Sequence, residues 1–188
     1  MGFIEDKKNI LAKIDKSSKR CIDKDIKQLV DFLNNKPDYF TTSSCAGRIL
    51  LISQPKQNKK YNVEWLYLSH DEVIFSTIKN IINEITTSDV WFKEESAILH
   101  VCCKTIEDAS NLIETAKHAG FKRSGINTIG KRIMLELLST ENMAAPIIKD
   151  SKLIVDDDYI KILVDEANKK LKRTKEKINA LYKILSSP

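Results

Sequence analysis

Apolar positions recur along the chain with two periods, near 3.6 and near 2, and the alternation between them divides it into elements. Ile4, Leu11 and Ile14 stand among charges and predict a helix over 3–16. Ile26, Leu29, Val30 and Leu33 share one helical face in a segment that Asp23 opens as a cap and Lys36-Pro37-Asp38 stops. Aromatic and β-branched residues predict strands over 39–42 and 48–53, joined by a turn of small residues. A polar hairpin loop over 54–60 leads to a strand over 63–68 that carries Trp65, expected to pack in the core, and ends at Ser69-His70. From Asp71 runs the most apolar helix, with Val73, Ile74, Ile78, Ile81, Ile82 and Ile85 inward, placed against the sheet centre. Segments 90–93 and 97–103 read as paired strands. Thr105 caps a helix with Ala109, Leu112, Ile113 and Ala116 inward, closed by Ala119-Gly120. A strand resumes at 121–122, 124–127 turns, 132–138 is another strand, and 139–152 is a polar loop around Pro146. A brief strand at 153–155 precedes a long helix over 157–185, apolar at Ile160, Val164, Ala167, Leu171, Ile178, Leu181 and Leu185.

This order predicts one α/β domain of the α+β kind over residues 1–188: a mixed, largely antiparallel sheet packed with helices, plus a long C-terminal helix. A weak echo runs through it. Helix, strand, Ser-rich turn with Gly, and strand opening Arg-Ile occur at 23–52 and again at 107–138. That suggests two duplicated halves, although the same unit is common in unrelated folds.

Composition narrows the class. The 188 residues are 42% hydrophobic and 30% charged, enough for a real core in one domain. Five Gly and four Pro are too few for a low-complexity chain. Lys plus Arg outnumber Asp plus Glu by 31 to 26, a mildly basic balance of +5 that permits a nucleic-acid partner without establishing one. No apolar run reaches the length of a membrane span, and the N-terminus is charged from the start, so a cytoplasmic chain is expected. Cys21, Cys45, Cys102 and Cys103 match no zinc spacing and read as free thiols, and no metal site is expected. Cys102 and Cys103 are adjacent in a strand and so point to opposite faces.

Chemistry concentrates in a few places. Ser43, Ser44, Cys45, Ala46 and Gly47 form a stretch of small residues whose backbone N–H groups would form a nest for an anion, with Arg48 adding a planar fork. His70 stands at a strand end and His100 in mid-strand, whereas His118 sits near a helix end where it favours the dipole. A Cys45 nucleophile with His70 as base is a further arrangement, but no orienting third group is visible. The basic stretch 15–20 and the Lys59-Lys60 hairpin suggest a phosphate-binding edge, and the many lysines of the final helix add modestly to it. Neither a dinucleotide glycine motif nor a P-loop occurs.

Together these landmarks resemble one family. Asp15-Lys16-Ser17, the string from Tyr39 through Thr41-Thr42-Ser43-Ser44-Cys45-Ala46-Gly47-Arg48 to Ile49, Trp65 to Ser69-His70, Ile98-Leu99-His100-Val101, Ala119-Gly120-Phe121, Ser124-Gly125-Ile126, and Tyr159 to Asn168 follow the order and spacing of the wybutosine-synthesis methyltransferases of archaea and eukaryotes. The chain departs from that family at Ala46, at Cys21 and at Glu95-Ser96-Ala97, where the family typically has Ser, Gly and a Pro. The resemblance implies an enzyme that uses S-adenosyl-L-methionine to methylate N4 of a tricyclic guanosine derivative of the 7-(3-amino-3-carboxypropyl)-4-demethylwyosine type. That base lies beside the anticodon of tRNA(Phe), so the anticodon loop is the implied partner. It also implies a methyltransferase outside the usual dinucleotide-type fold. The base that takes the proton from nitrogen would be His70 or His100, with Asp15 a further alternative. Ser43, Ser44, Cys45, Gly47 and Arg48 would bind the methionine carboxylate or a tRNA phosphate, and Ser124 and Gly125 the opposite wall. Trp65 or Tyr39 could stack on adenine or on the modified base. A non-catalytic RNA-binding module and a Cys45-centred thiol enzyme are the competing classes.

Overall fold

The computed structural model describes residues 2–12, 21–54, 63–85 and 89–187. Asp15, the basic stretch 15–20 and the Lys59-Lys60 hairpin lie outside the described residues. The elements are α1 (Phe3–Leu11), α2 (Lys24–Asn35), β1 (Tyr39–Cys45), β2 (Arg48–Gln54), β3 (Glu64–Ser69), α3 (Phe75–Glu84), β4 (Asp89–Glu95), β5 (Ile98–Cys103), α4 (Ile106–His118), β6 (Gly125–Ile129), β7 (Ile133–Leu138), β8 (Met143–Lys149), β9 (Lys152–Leu153) and α5 (Asp157–Ser186). The expected α+β class with a long C-terminal helix is what the chain adopts, and all of the strand pairs are antiparallel.

Two compact units are formed, neither from a continuous stretch of chain. Unit 1 comprises Met1–Ala46, Ser96–Thr140 and Thr174–Pro188; unit 2 comprises Gly47–Glu95 and Glu141–Arg173. Unit 1 holds a sheet of order β1-β5-β7-β6. On one face Leu99, Val101, Cys103, Leu135 and Leu137 meet Ile26, Leu29 and Leu33 of α2, Leu112 and Ala116 of α4, and Ile178 and Leu181 of α5. Burying such side chains stabilises by about 1.5–3 kcal/mol each and fixes which face of each strand looks inward. On the other face α1 sets Phe3 against Phe40, ring centroids 5.3 Å apart, and Asp6 holds Arg132 through two bonds of 2.5 and 2.6 Å. Thr105 and Asp108 form the capping box of α4, and Gly120 leaves it at φ +100°, as the Thr105 and Ala119-Gly120 signals predict.

Unit 2 holds a sheet of order β3-β2-β4-β8-β9. Ile49, Leu51, Val90 and Phe92 face Ile78 and Ile82 of α3 and Ile160, Val164, Ala167 and Leu171 of α5. Asn168 clamps the approach to α3, accepting from Val73 N–H at 2.9 Å and donating to Val73 O at 2.8 Å.

Several sequence expectations need correction. Segments 90–93 and 97–103 are strands but do not pair, because β4 belongs to the second sheet and β5 to the first. The echo splits likewise. β1 and β2 lie in different sheets, whereas β6 and β7 are paired neighbours within unit 1. The 121–122 strand is irregular chain, and the 124–127 turn is the start of β6. The loop around Pro146 is β8: Pro146 stands opposite Trp91 beside a register shift, a position that spares its missing N–H. The helix expected from Asp71 begins at Phe75, and Ile74 is its cap residue, 65% exposed and not inward. Asp23 occupies the cap position of α2 but its side chain does not cap that helix.

One inward position is charged. Glu94 lies on the core face of β4, opposite Ile49 and Met143, and is 1% exposed. Neither carboxylate oxygen has a hydrogen-bond partner among the described residues. Burial pushes its carboxyl up to about 7; Lys170 and Arg173 pull it down, while Glu141 and Glu95 oppose them. The raised folded pKa means the folded state keeps a proton that the unfolded chain loses near 4.5. Stability therefore falls as pH rises from about 4.5 through about 7. Glu94→Gln should raise stability by about 1–3 kcal/mol at pH 8. The gain should disappear in urea melts below the carboxylate range; a gain independent of pH would rule out ionisation of Glu94 as its source.

Candidate functional site

The site in unit 1 grows from the alternation of β5. Leu99, Val101 and Cys103 are committed to the core, so His100 must project from the opposite face. Cross-strand register places His100 opposite Ser43 on β1 and Glu136 on β7, and Glu136 opposite Gly125 on β6. These residues form one row across all four strands of the sheet. A register shift between Thr41 and Ser43 makes Thr42 the extra residue, so Ser43 and not Thr42 meets the histidine. A second shift, between Ile126 and Thr128, sets Asn127 beside Glu136.

The row is wired as a donor–acceptor chain. A carboxylate only accepts, so His100 Nε2–H donates to Glu136 Oε2 at 3.1 Å. In the neutral ring this leaves Nδ1 as acceptor, and Ser43 Oγ–H donates to it at 2.8 Å. Asn127 Nδ2 lies 3.4 Å from the same Glu136 oxygen. The arrangement suits general base work: one nitrogen is oriented by an acid and the other holds a lone pair behind a small hydroxyl. A Cβ placed on Gly125 would meet nothing within 4 Å, so the end of the row is open.

The nest expected at Ser43–Gly47 takes a different form. Ser43, Ser44 and Cys45 continue β1, paired to β5, and do not form a turn of converging N–H groups. Ala46 N–H donates to Asp23 Oδ2 at 3.0 Å, which is where the Asp23 carboxylate goes instead of capping α2. Ser124 Oγ–H donates to Phe121 O at 2.6 Å and accepts from Leu138 N–H at 3.1 Å, fastening the start of β6. Tyr39 donates to the Asp108 carbonyl at 3.1 Å, and its hydroxyl is pushed up to about 12 by burial first and by Asp108 second; it anchors β1 to α4. Cys102 and Cys103 are buried free thiols, the second pushed up to about 12 by burial, and Cys103 alone of the pair belongs to the helix-side core.

In unit 2, Gly47 begins the chain segment at φ +90° and its carbonyl accepts from His70 Nδ1–H at 2.9 Å. The carbonyl fixes the His70 proton on Nδ1, leaving the lone pair of the neutral ring on Nε2. Arg48 places Nε and Nη2 on one oxygen of Glu95, at 2.8 and 2.7 Å, and packs over the Trp65 ring at 4.5 Å from its centroid. A guanidinium has five N–H donors, so this pairing still suits a ligand carboxylate. The basic run of α5 is largely spent on ion pairs: Lys170 and Arg173 with Glu141 and Glu166 in unit 2, and Lys175 with Asp25 in unit 1.

Structure thus brings Ser43, His100 and Gly125 together and adds Glu136 and Asn127, which sequence reasoning missed. Glu136 carries a signal nonetheless, as the one charged residue in the apolar run Ile133–Leu138. Among the described residues no helix is long and apolar enough to cross a membrane.

Comparison with known proteins agrees with this reading of the motifs. The family model Methyltransferase TYW3 matches residues 5–187. The tRNA(Phe) 7-((3-amino-3-carboxypropyl)-4-demethylwyosine(37)-N(4))-methyltransferase of Thermococcus sibiricus is 38% identical over 95% of this chain and 91% of its own length. The tRNA wybutosine-synthesizing protein 3 homolog of Homo sapiens is 38% identical over 95% of this chain and 70% of its own. Among solved structures, the PH1069 protein of Pyrococcus horikoshii superposes with a TM-score of 0.91 at 34% identity, over 100% of this chain and 97% of that one. With that match spanning both units, the chain belongs to the TYW3 methyltransferase family and is a methyltransferase.

Proposed function

We propose that this methyltransferase uses S-adenosyl-L-methionine to methylate N4 of 7-(3-amino-3-carboxypropyl)-4-demethylwyosine in the anticodon loop of tRNA(Phe); the names of its relatives give the tRNA, the base and the nitrogen. Residues 1–188 act as one catalytic domain, since each unit is assembled from separate chain segments. Its substrate and its free thiols suit the cytoplasm. The observation that carries the reading is the Ser43–His100–Glu136 row, a base positioned beside Ser43 of the stretch most specific to the family.

The bound cofactor supplies an electrophilic methyl group, and transfer requires mainly that donor and acceptor be aligned. Arg48 suits the cofactor's carboxylate. His100 accepts the proton released from the substrate nitrogen at Nδ1, directly or across the Ser43 hydroxyl. Glu136 holds the ring by Nε2–H and stabilises the imidazolium that forms. His70, oriented through Nδ1 by the Gly47 carbonyl, is the second candidate base.

The test is methyl transfer to tRNA(Phe) carrying the demethylwyosine base, read by mass spectrometry, with cofactor binding followed by calorimetry. His100→Ala should lower kcat on the order of 10²–10⁴-fold with cofactor affinity retained. Full turnover in His100→Ala together with loss in His70→Ala would transfer the base to His70. Glu136→Gln should lower kcat, because the ring loses the negative charge that stabilises the imidazolium formed in the reaction. Arg48→Ala should weaken cofactor binding, and unchanged affinity would move the carboxylate site elsewhere. A wild-type chain that binds tRNA and no cofactor would sink the proposal.

A further inference from the structure

The second sheet carries another row, on the face opposite its helices. Ile52 stands across from Trp65 on β3 and from Trp91 on β4, and Trp91 across from Pro146 on β8. Residues directly opposite in antiparallel strands share a face, so Trp65, Ile52, Trp91 and Pro146 line up side by side. One pair along on that face, Leu50 meets Leu68 and Lys93; beyond it Arg48 meets Glu95. Trp65 reaches this face through a register shift. Leu51 pairs with Tyr67 and Ile52 with Trp65, leaving Leu66 as the extra residue. Leu66 and Tyr67 pack toward the helix-side core, while Trp65 is 54% exposed. Its expected place in the core is therefore overturned.

We infer that the Trp65 row is a stacking platform for an unpaired nucleobase of the RNA substrate, a role that rests on the tRNA reading above and extends it. An indole that is half open to solvent, with the Arg48 guanidinium packed on it, offers a π-surface suited to any base. Lys93, partly exposed on the same face, stands two residues along β4 from Trp91 and suits the phosphate that follows a stacked base. A second protein chain fits less well. Leu50 and Ile52 are already only 2% and 6% exposed, so the open apolar area centres on one ring. A stable protein interface needs about 800 Å² on each partner.

Trp65 and Trp91 are the two tryptophans of the whole sequence, so intrinsic indole fluorescence reports on this row alone. The experiment titrates the full chain with a short single-stranded oligoribonucleotide and with tRNA(Phe), reading tryptophan quenching, and measures KM for the modified tRNA. Wild type should show saturable quenching. Trp65→Ala should lose most of it and raise Kd and KM on the order of 10-fold. Trp65→Phe should recover much of the affinity, which a merely misfolded variant would not. Unchanged Kd and KM in Trp65→Ala would overturn the platform while leaving the methyltransferase in place. So would a dimer that Trp65→Ala converts to monomer at unaltered RNA affinity, which would make the row a contact between copies. Wild-type protein that neither binds nor methylates tRNA would remove the RNA reading itself, and the platform with it.

Discussion

The register of β5 is the constraint on which the unit 1 site depends. Leu99 and Val101 are fully buried against α2, α4 and α5, and Cys103 nearly so. A slip of one residue would send His100 into that core and turn Leu99 and Val101 out to solvent. Each of those side chains contributes about 1.5–3 kcal/mol by its burial, so the slip is prohibitive. The position of the imidazole is thus set by apolar packing on the far side of the strand. Ser43, Glu136 and Gly125 then fall beside it because the neighbouring strands are bound by the same hydrogen-bond ladder. The site needs no flexible loop to assemble it, and its bonds of 2.8 and 3.1 Å lie on rigid elements.

Much of this was legible in the chain, and the failures share one cause. Helices with wide apolar stripes, such as Ile26 to Leu33 or Ile160 to Leu181, emerge from periodicity because burial needs that spacing. Ser43, His100 and Arg48 stand out through the motif they belong to. What periodicity does not encode is which strands pair and where an extra residue shifts the register. Trp65 sits next to Leu66 in a run that reads as one buried strand, and only the shift at Leu66 turns the indole outward. Thr42 and Ser43 are chemically alike in sequence, and only a shift decides which of them meets His100. β8 was hidden by Pro146 and by two alanines, residues of low strand propensity that pairing with β4 overrides. Glu136 had no partner visible along the sequence, because His100 is 36 residues away and the two meet only across a ladder.

An antiparallel architecture also dictates what kind of site is available. Parallel α/β sheets bind ligands at the crevice where strand order reverses, with glycine loops and helix N-termini cradling phosphates. Here all of the strand pairs among the described residues are antiparallel and the sequence holds no glycine motif, so Ser43–Cys45 lie in a ladder and not in a phosphate-cradling turn. Chemistry has to be carried by side chains standing on sheet faces. Each unit packs one face of its sheet against a helix-side core and carries polar or aromatic rows on the other, where α1 also covers part of the unit 1 sheet: Ser43, His100 and Glu136 in unit 1, Trp65 and Trp91 in unit 2.

Glu94 shows the same rule from the opposite side. Glu94 and Glu136 are both strand glutamates, and neither is distinguished by residue type. Glu136 faces outward, where it accepts from His100 and Asn127 and keeps access to water. Glu94 faces inward among Ile49 and Met143, where losing hydration outweighs the pull of Lys170 and Arg173 and raises its carboxyl to about 7. An acid held near neutral pH by burial is the usual mark of a catalytic group. Here that mark falls on Glu94, whose shift comes from the helix-side core and whose oxygens have no hydrogen-bond partner among the described residues, whereas the acid paired to a histidine in the proposed site, Glu136, stands on the other side of its sheet. Facing, set by apolar packing on the opposite side of each strand, therefore decides which glutamate can serve the chemistry.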